Sequence, residues 1–131
     1  MIDLKRNEAQ IQKNAAHCKE KNIRLPTFKE MKNPENISEK IRDEMNSIGL
    51  WDMHPRNLYR VSWKNEPVTQ GGGYGSVNAM VIPKEITGVK ANIIGLVGKW
   101  FPTGAHKVGA TYGCIAPGLV TGQFDPTSTK A

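Results

Sequence analysis

Lys107 stands where a strand-like pattern gives way to a helix-like one, inside G-K-W-F-P-T-G-A-H-K-V-G-A-T-Y-G, which runs from Gly98 to Gly113. A helix start carries unpaired backbone N–H groups and the positive end of the macrodipole, and both disfavour a cation there. The lysine should therefore give up its proton more readily than a solvated one, and a neutral amine is the nucleophile that forms a Schiff base. Helix starts also favour phosphate, so a cofactor that carries both an aldehyde and a phosphate, as pyridoxal 5'-phosphate does, would suit the position twice over. Read without chemistry, the same residue is a solvated lysine near a helix end.

Two elements must position it. Val89 to Val97 (V-K-A-N-I-I-G-L-V) is apolar, rich in β-branched residues and bounded by glycines, and reads as a buried strand. Pro102-Thr103-Gly104 breaks it. Val108, Tyr112 and Ile115 then fall at spacings of four and three, one face of a short helix that Pro117-Gly118 is expected to end. Lys107 lies in the first turn of that helix.

Thr103-Gly104-Ala105-His106-Lys107, followed by Val108 and small residues, is similar to the cofactor-lysine segment of the tryptophan synthase β subunit. The wider run K-W-F-P-T-G-A-H-K-V-G-A-T-Y-G-C resembles cysteine-synthase-like members of the same fold-type II family of pyridoxal-phosphate enzymes, and a looser likeness extends from Asn57 to Pro126. The resemblance implies that Lys107 bonds the cofactor, that His106 lies close to its phosphate, and that Thr103, Gly104 and Ala105 belong to the cofactor-binding segment. It implies β-elimination or β-replacement on an amino-acid substrate, a lyase or synthase activity, without choosing between the two. It also implies an α/β chain, with N-terminal helices followed by strands and a βα unit, in which residues 1–50 form a helical segment and residues 51–131 a partial α/β segment bearing the lysine.

Family members carry their glycine-rich phosphate loop and much of the substrate pocket C-terminal to the lysine, whereas this chain stops at Ala131. The expectation is the N-terminal portion of an enzyme: a fragment, a truncated frame or half of a split protein, with little activity alone. An exposed sheet edge would favour association with a complementary C-terminal chain or with further copies of itself. A structural remnant without activity is the alternative within the family.

The rest of the chain bounds these readings. Its 131 residues, 38% of them hydrophobic, suffice for one modest core. The net charge of +6 suits an anionic partner, but Lys19-Glu20-Lys21, Lys29-Glu30 and Glu39-Lys40 interleave the signs as a solvated surface does. The first residues contain no apolar h-region and no stretch is long and apolar enough for a membrane span, so a cytoplasmic protein is expected. Cys18 and Cys114 lie far apart with no metal-site spacing, and read as reduced and buried.

Leu4, Ile11, Ala15 and Cys18 make a narrow apolar stripe, expected as a first helix that Leu25-Pro26 stops. Asn33-Pro34 starts a second, with Ile37, Ile41, Met45 and Ile48 on one face, Lys40 and Glu44 one turn apart, and Gly49 at the end. Tyr59, Val61 and Trp63 alternate with Arg60, Ser62 and Lys64, which reads as a half-buried strand. The same alternation is the pattern of a stacking platform, so a small basic nucleic-acid-binding protein using Tyr59 and Trp63 is the rival reading, disfavoured by the mixed charge. Gly71-Gly72-Gly73-Tyr74-Gly75 matches no phosphate-loop spacing and precedes a strand-like run, Val77 to Ile82, so a flexible connection is expected.

Overall fold

The computed structural model describes residues 5–67, 69 and 72–128. Helix α1 (Glu8–Glu20) opens on Asn7, whose Oδ1 accepts the Gln10 N–H at 3.1 Å and so satisfies one of the donors a helix start leaves unpaired. The expected stripe is rotated. Asn14 is the buried residue of α1, Ile11 and Cys18 are half-buried, and Ala15 is exposed. Leu4 lies outside the described residues. Asn14 tolerates burial because its Nδ2 donates to the Leu119 carbonyl at 2.7 Å and its Oδ1 accepts from Gln10 Nε2 at 3.1 Å. The helix ends well before Leu25-Pro26, since the Lys21 N–H closes on the His17 carbonyl and Asn22 turns left-handed with φ 52°.

A short helix absent from the sequence reading follows. In α2 (Phe28–Lys32) the Thr27 hydroxyl accepts the Glu30 N–H while the Glu30 carboxylate accepts the Thr27 N–H, a reciprocal cap that was legible as T-x-x-E. Asn33-Pro34 opens only a 3-10 turn, Pro34–Asn36, and α3 (Glu39–Asn46) begins after Ser38 and stops at Ser47, ahead of Gly49. Ile37, Ile41 and Met45 are buried, as their spacing requires, and with Tyr59 form the core on which Tyr74 packs. Glu44 takes Arg56 as partner at 2.5 Å, and that hydrogen bond holds its carboxyl below the ordinary range.

No strand forms over Tyr59 to Trp63: 3-10 turns run Pro55–Arg60, and Val61 to Trp63 follow as coil and turn. The cause is the C-terminal end of α3, whose carbonyls need donors. Arg60 supplies them, with Nη1 on the Ile48 carbonyl at 2.6 Å and Nη2 on the Met45 carbonyl at 2.7 Å, while Asn57 Nδ2 reaches the Gly49 and Asp52 carbonyls. A coiled segment brings both residues to that end; an extended one would separate them to opposite faces.

Strands β1 (Ala79–Ile82) and β2 (Ile93–Leu96) form a two-stranded antiparallel sheet, pairing Ala79 with Leu96 and Ile82 with Ile93, with a single-turn helix α4 (Lys84–Thr87) between them. The strand expected over Val89 to Val97 is thus shorter, and it is not buried: Ile94 is 59% and Leu96 54% exposed. Helix α5 (Lys107–Thr121) runs through Pro117 and ends at Gly122, whose φ of 81° suits a left-handed cap. The turn beyond Pro117 is held by the N-terminal segment, where the Asn7 N–H donates to the Val120 carbonyl and Asn14 to that of Leu119. The first and last helices therefore pack together, and the chain reads as helices, a small sheet, then a β-to-α step.

Candidate functional site

From β2 the chain enters the turn that carries the candidate residues. Phe101 and Pro102 are buried, and Thr103 and Gly104 both adopt left-handed backbone, φ 62° and 66°. For Thr103 that conformation costs roughly 1 kcal/mol or more. It is fixed by the Thr103 N–H donating to the Leu50 carbonyl at 2.8 Å and the Gly104 N–H to that of Phe101 at 2.9 Å. Ala105 returns to extended backbone and His106 caps α5, so Lys107 is its first residue, as expected.

The turn sends its side chains two ways. Thr103, Ala105 and Lys107 line a groove of about 410 Å³ walled by Leu25, Leu58, Val108 and Tyr112. Among the described residues Lys107 is the only charged one on this lining. Two of the groove's hydroxyls are committed to backbone: Thr111 donates to the Lys107 carbonyl at 2.9 Å and Tyr112 to that of Pro26 at 3.2 Å, burial raising the Tyr112 hydroxyl's pKa. The expected face of Val108, Tyr112 and Ile115 is this groove wall.

His106 faces elsewhere. Its imidazole stacks on Trp63 with centroids 6.1 Å apart, and Trp63 meets the Phe101 ring edge-on at 4.9 Å. Gly98 makes this seat possible, and Gly109 does the same for the helix, since a β-carbon there would stand 3.0 Å from the Phe101 ring. Gly104 lies near Trp51.

Other sequence candidates take structural roles. Tyr59 is 1% exposed and Trp63 is half-buried under His106, so the stacking platform for bases is not presented. In the glycine run, of which Gly71 lies outside the described residues, the Gly72 N–H is bonded to the Pro67 carbonyl and the Gly75 N–H to that of Lys64. Glu66 leans over it, because a β-carbon on Gly75 would coincide with its carboxylate, and an acid there opposes phosphate. A second cleft, of about 260 Å³ beside Arg60, holds a guanidinium that donates three hydrogens, to the Ile48 and Met45 carbonyls and to Asn57 Oδ1. Cys18 and Cys114 are free thiols, and Cys114 is exposed because it sits on the outer side of α5, not in the core.

Among the described residues no group of three or more metal-ligating side chains converges, and no helix is long and apolar enough to cross a membrane. The donor set fits the aldehyde-bearing ring of pyridoxal phosphate, an amine on apolar walls, while the lining contributes no second cation for the phosphate. Comparison of the chain with family models, curated proteins and solved structures yields no match.

Proposed function

We propose that this chain is the lysine-bearing, N-terminal part of a fold-type II pyridoxal-phosphate enzyme, a lyase or synthase acting by β-elimination or β-replacement on an amino acid. The observation that carries the reading is Lys107 as the single charged side chain, among the described residues, on an apolar groove of about 410 Å³, a volume in the range of small-molecule sites. When bound, the cofactor supplies an electron sink for bond breaking at the amino-acid α-carbon. Lys107 would hold the cofactor through Nζ, and the same Nζ, when free, would serve as the base for the substrate α-proton. Leu25, Leu58, Val108 and Tyr112 would shield the ring from water, and the left-handed Thr103-Gly104 turn fixes where α5 starts and hence where Nζ emerges.

His106 is exposed but stacked on Trp63, off the groove, so in this reading its imidazole would have to leave Trp63 to donate to the phosphate. One imidazole is too few donors for a phosphate, so the remaining ones come from a complementary chain. The test is a titration with pyridoxal phosphate followed by visible absorption. A saturable band that Lys107→Ala abolishes supports the proposal, and a band unchanged in that variant defeats it.

A further inference from the structure

The cleft of about 260 Å³ beside Arg60 shares no lining residue with the Lys107 groove, and it carries one side chain of each charge, Arg60 and Glu66. The two do not pair. The half-buried Glu66 carboxylate lies over the glycine run, Oε2 3.7 Å from where a β-carbon on Gly73 would stand, and among the described residues neither of its oxygens takes a hydrogen bond or an ion pair. Its neighbour Asn65, also on the lining, is 4% exposed. Asn65 Nδ2 donates to the Arg60 and Trp100 carbonyls, which fixes the orientation of the amide and leaves Oδ1 buried without a donor. Arg60 has five N–H groups and commits three of them, so two remain. A buried acceptor without a donor and a half-buried carboxylate without a counter-ion both favour a ligand that brings N–H groups and positive charge.

We propose that this cleft binds the zwitterion of a free α-amino acid, with its ammonium on Glu66 and Asn65 Oδ1 and its carboxylate on the N–H groups that Arg60 has left. Charge decides among the ligand classes. A simple amine would satisfy Glu66 and meet the Arg60 cation, a carboxylate or phosphate would do the reverse, and a zwitterion answers both. A divalent cation lacks ligands, since no group of three or more metal-ligating side chains converges among the described residues. Size and walls narrow the side chain. The volume of about 260 Å³ lies below the roughly 300 Å³ at which drug-sized sites begin, and Ile48, Leu50 and Trp100 supply apolar walls, so a small aliphatic side chain fits and a nucleotide does not. Lys107 is absent from this lining, so the cleft and the groove stand or fall separately.

Amide NMR titration of the full chain with L-valine, isobutylamine and isovalerate separates the classes, because the second lacks only the carboxylate of valine and the third only its ammonium. L-Valine should shift the Gly72, Gly73 and Asn65 resonances saturably and bind at least about tenfold tighter than either analogue. Glu66→Gln keeps the shape and removes the charge from a side chain that makes no hydrogen bond in the fold, so it should weaken L-valine at least about fivefold while isovalerate binds no worse than before. Either analogue binding as tightly as L-valine overturns the proposal, as does a Glu66→Gln variant that leaves L-valine unchanged or weakens L-valine and isovalerate alike. The absence of saturable shifts, or shifts confined to Ala105 and Val108 of the groove, overturns it too.

Discussion

Gly98 and His106 approach so closely that a β-carbon on Gly98 would lie 2.6 Å from that of His106 and 3.2 Å from its backbone nitrogen. The strand exit and the helix start are thereby locked together, one residue before Lys107. Gly98→Ala must push the His106 backbone off its seat on Trp63 and should cost about 1–3 kcal/mol. Gly113→Ala, in the same helix but with open space around it, should stabilise by about 0.5–1 kcal/mol. Denaturant midpoints of the two variants, moving in opposite directions, check the relationship.

Arg60 replaces the partners that the end of α3 lacks, so Arg60→Ala should destabilise by about 2–4 kcal/mol. Arg60→Lys should recover little, because one ammonium cannot span the Ile48 and Met45 carbonyls together with Asn57 Oδ1. Urea unfolding of both variants decides it, and full recovery by lysine would mean that charge alone matters there.

The pairing of α1 with α5 carries a pH dependence. Lys13 at 2.6 Å, then the Thr127 hydroxyl and N–H, hold the Asp125 carboxyl well below the usual carboxylate range. A lowered folded-state value means stability that is present above the ordinary carboxylate pKa and lost as pH falls toward the lowered one. The melting temperature should therefore drop between about pH 5 and pH 2, and Lys13→Met should flatten that slope in part, Glu44 with Arg56 contributing the remainder. An unchanged slope in Lys13→Met would remove the Lys13–Asp125 pair from the account.

How much of this was legible depended on whether a residue answers to its own neighbours or to distant ones. Ile37, Ile41 and Met45 repeat at helical spacing and went inside, and Lys107 begins a helix because Pro102-Thr103-Gly104 ends what precedes it. The alternation Tyr59, Val61, Trp63 misled, since the coil there is imposed by carbonyls of a helix earlier in the chain. Asn14 gave no sign of burial, its acceptor lying at Leu119. Apolar Ile93 to Leu96 carried a true strand signal and a false burial signal, because composition cannot say whether a covering layer is present. Within the site, the order T-G-A-H-K was visible but not its division, with Lys107 on the groove and His106 on Trp63.

That division gives a prediction about the phosphate. If the His106 imidazole leaves Trp63 to donate to it, His106→Ala should weaken binding of pyridoxal phosphate several-fold while leaving pyridoxal, which lacks the phosphate, unaffected. Equilibrium dialysis with both compounds separates the cases, and equal losses would assign His106 to positioning the helix start through Trp63.

The central claim is that Lys107 Nζ bonds the cofactor aldehyde, and borohydride reduction followed by peptide mass mapping tests it most directly. Incubated with pyridoxal phosphate and reduced, the chain should carry its adduct predominantly on the peptide containing Lys107, ahead of the other exposed lysines, and Lys107→Ala should lose that adduct without gaining another. An adduct distributed evenly over the surface lysines, or one that persists in Lys107→Ala, would contradict the account.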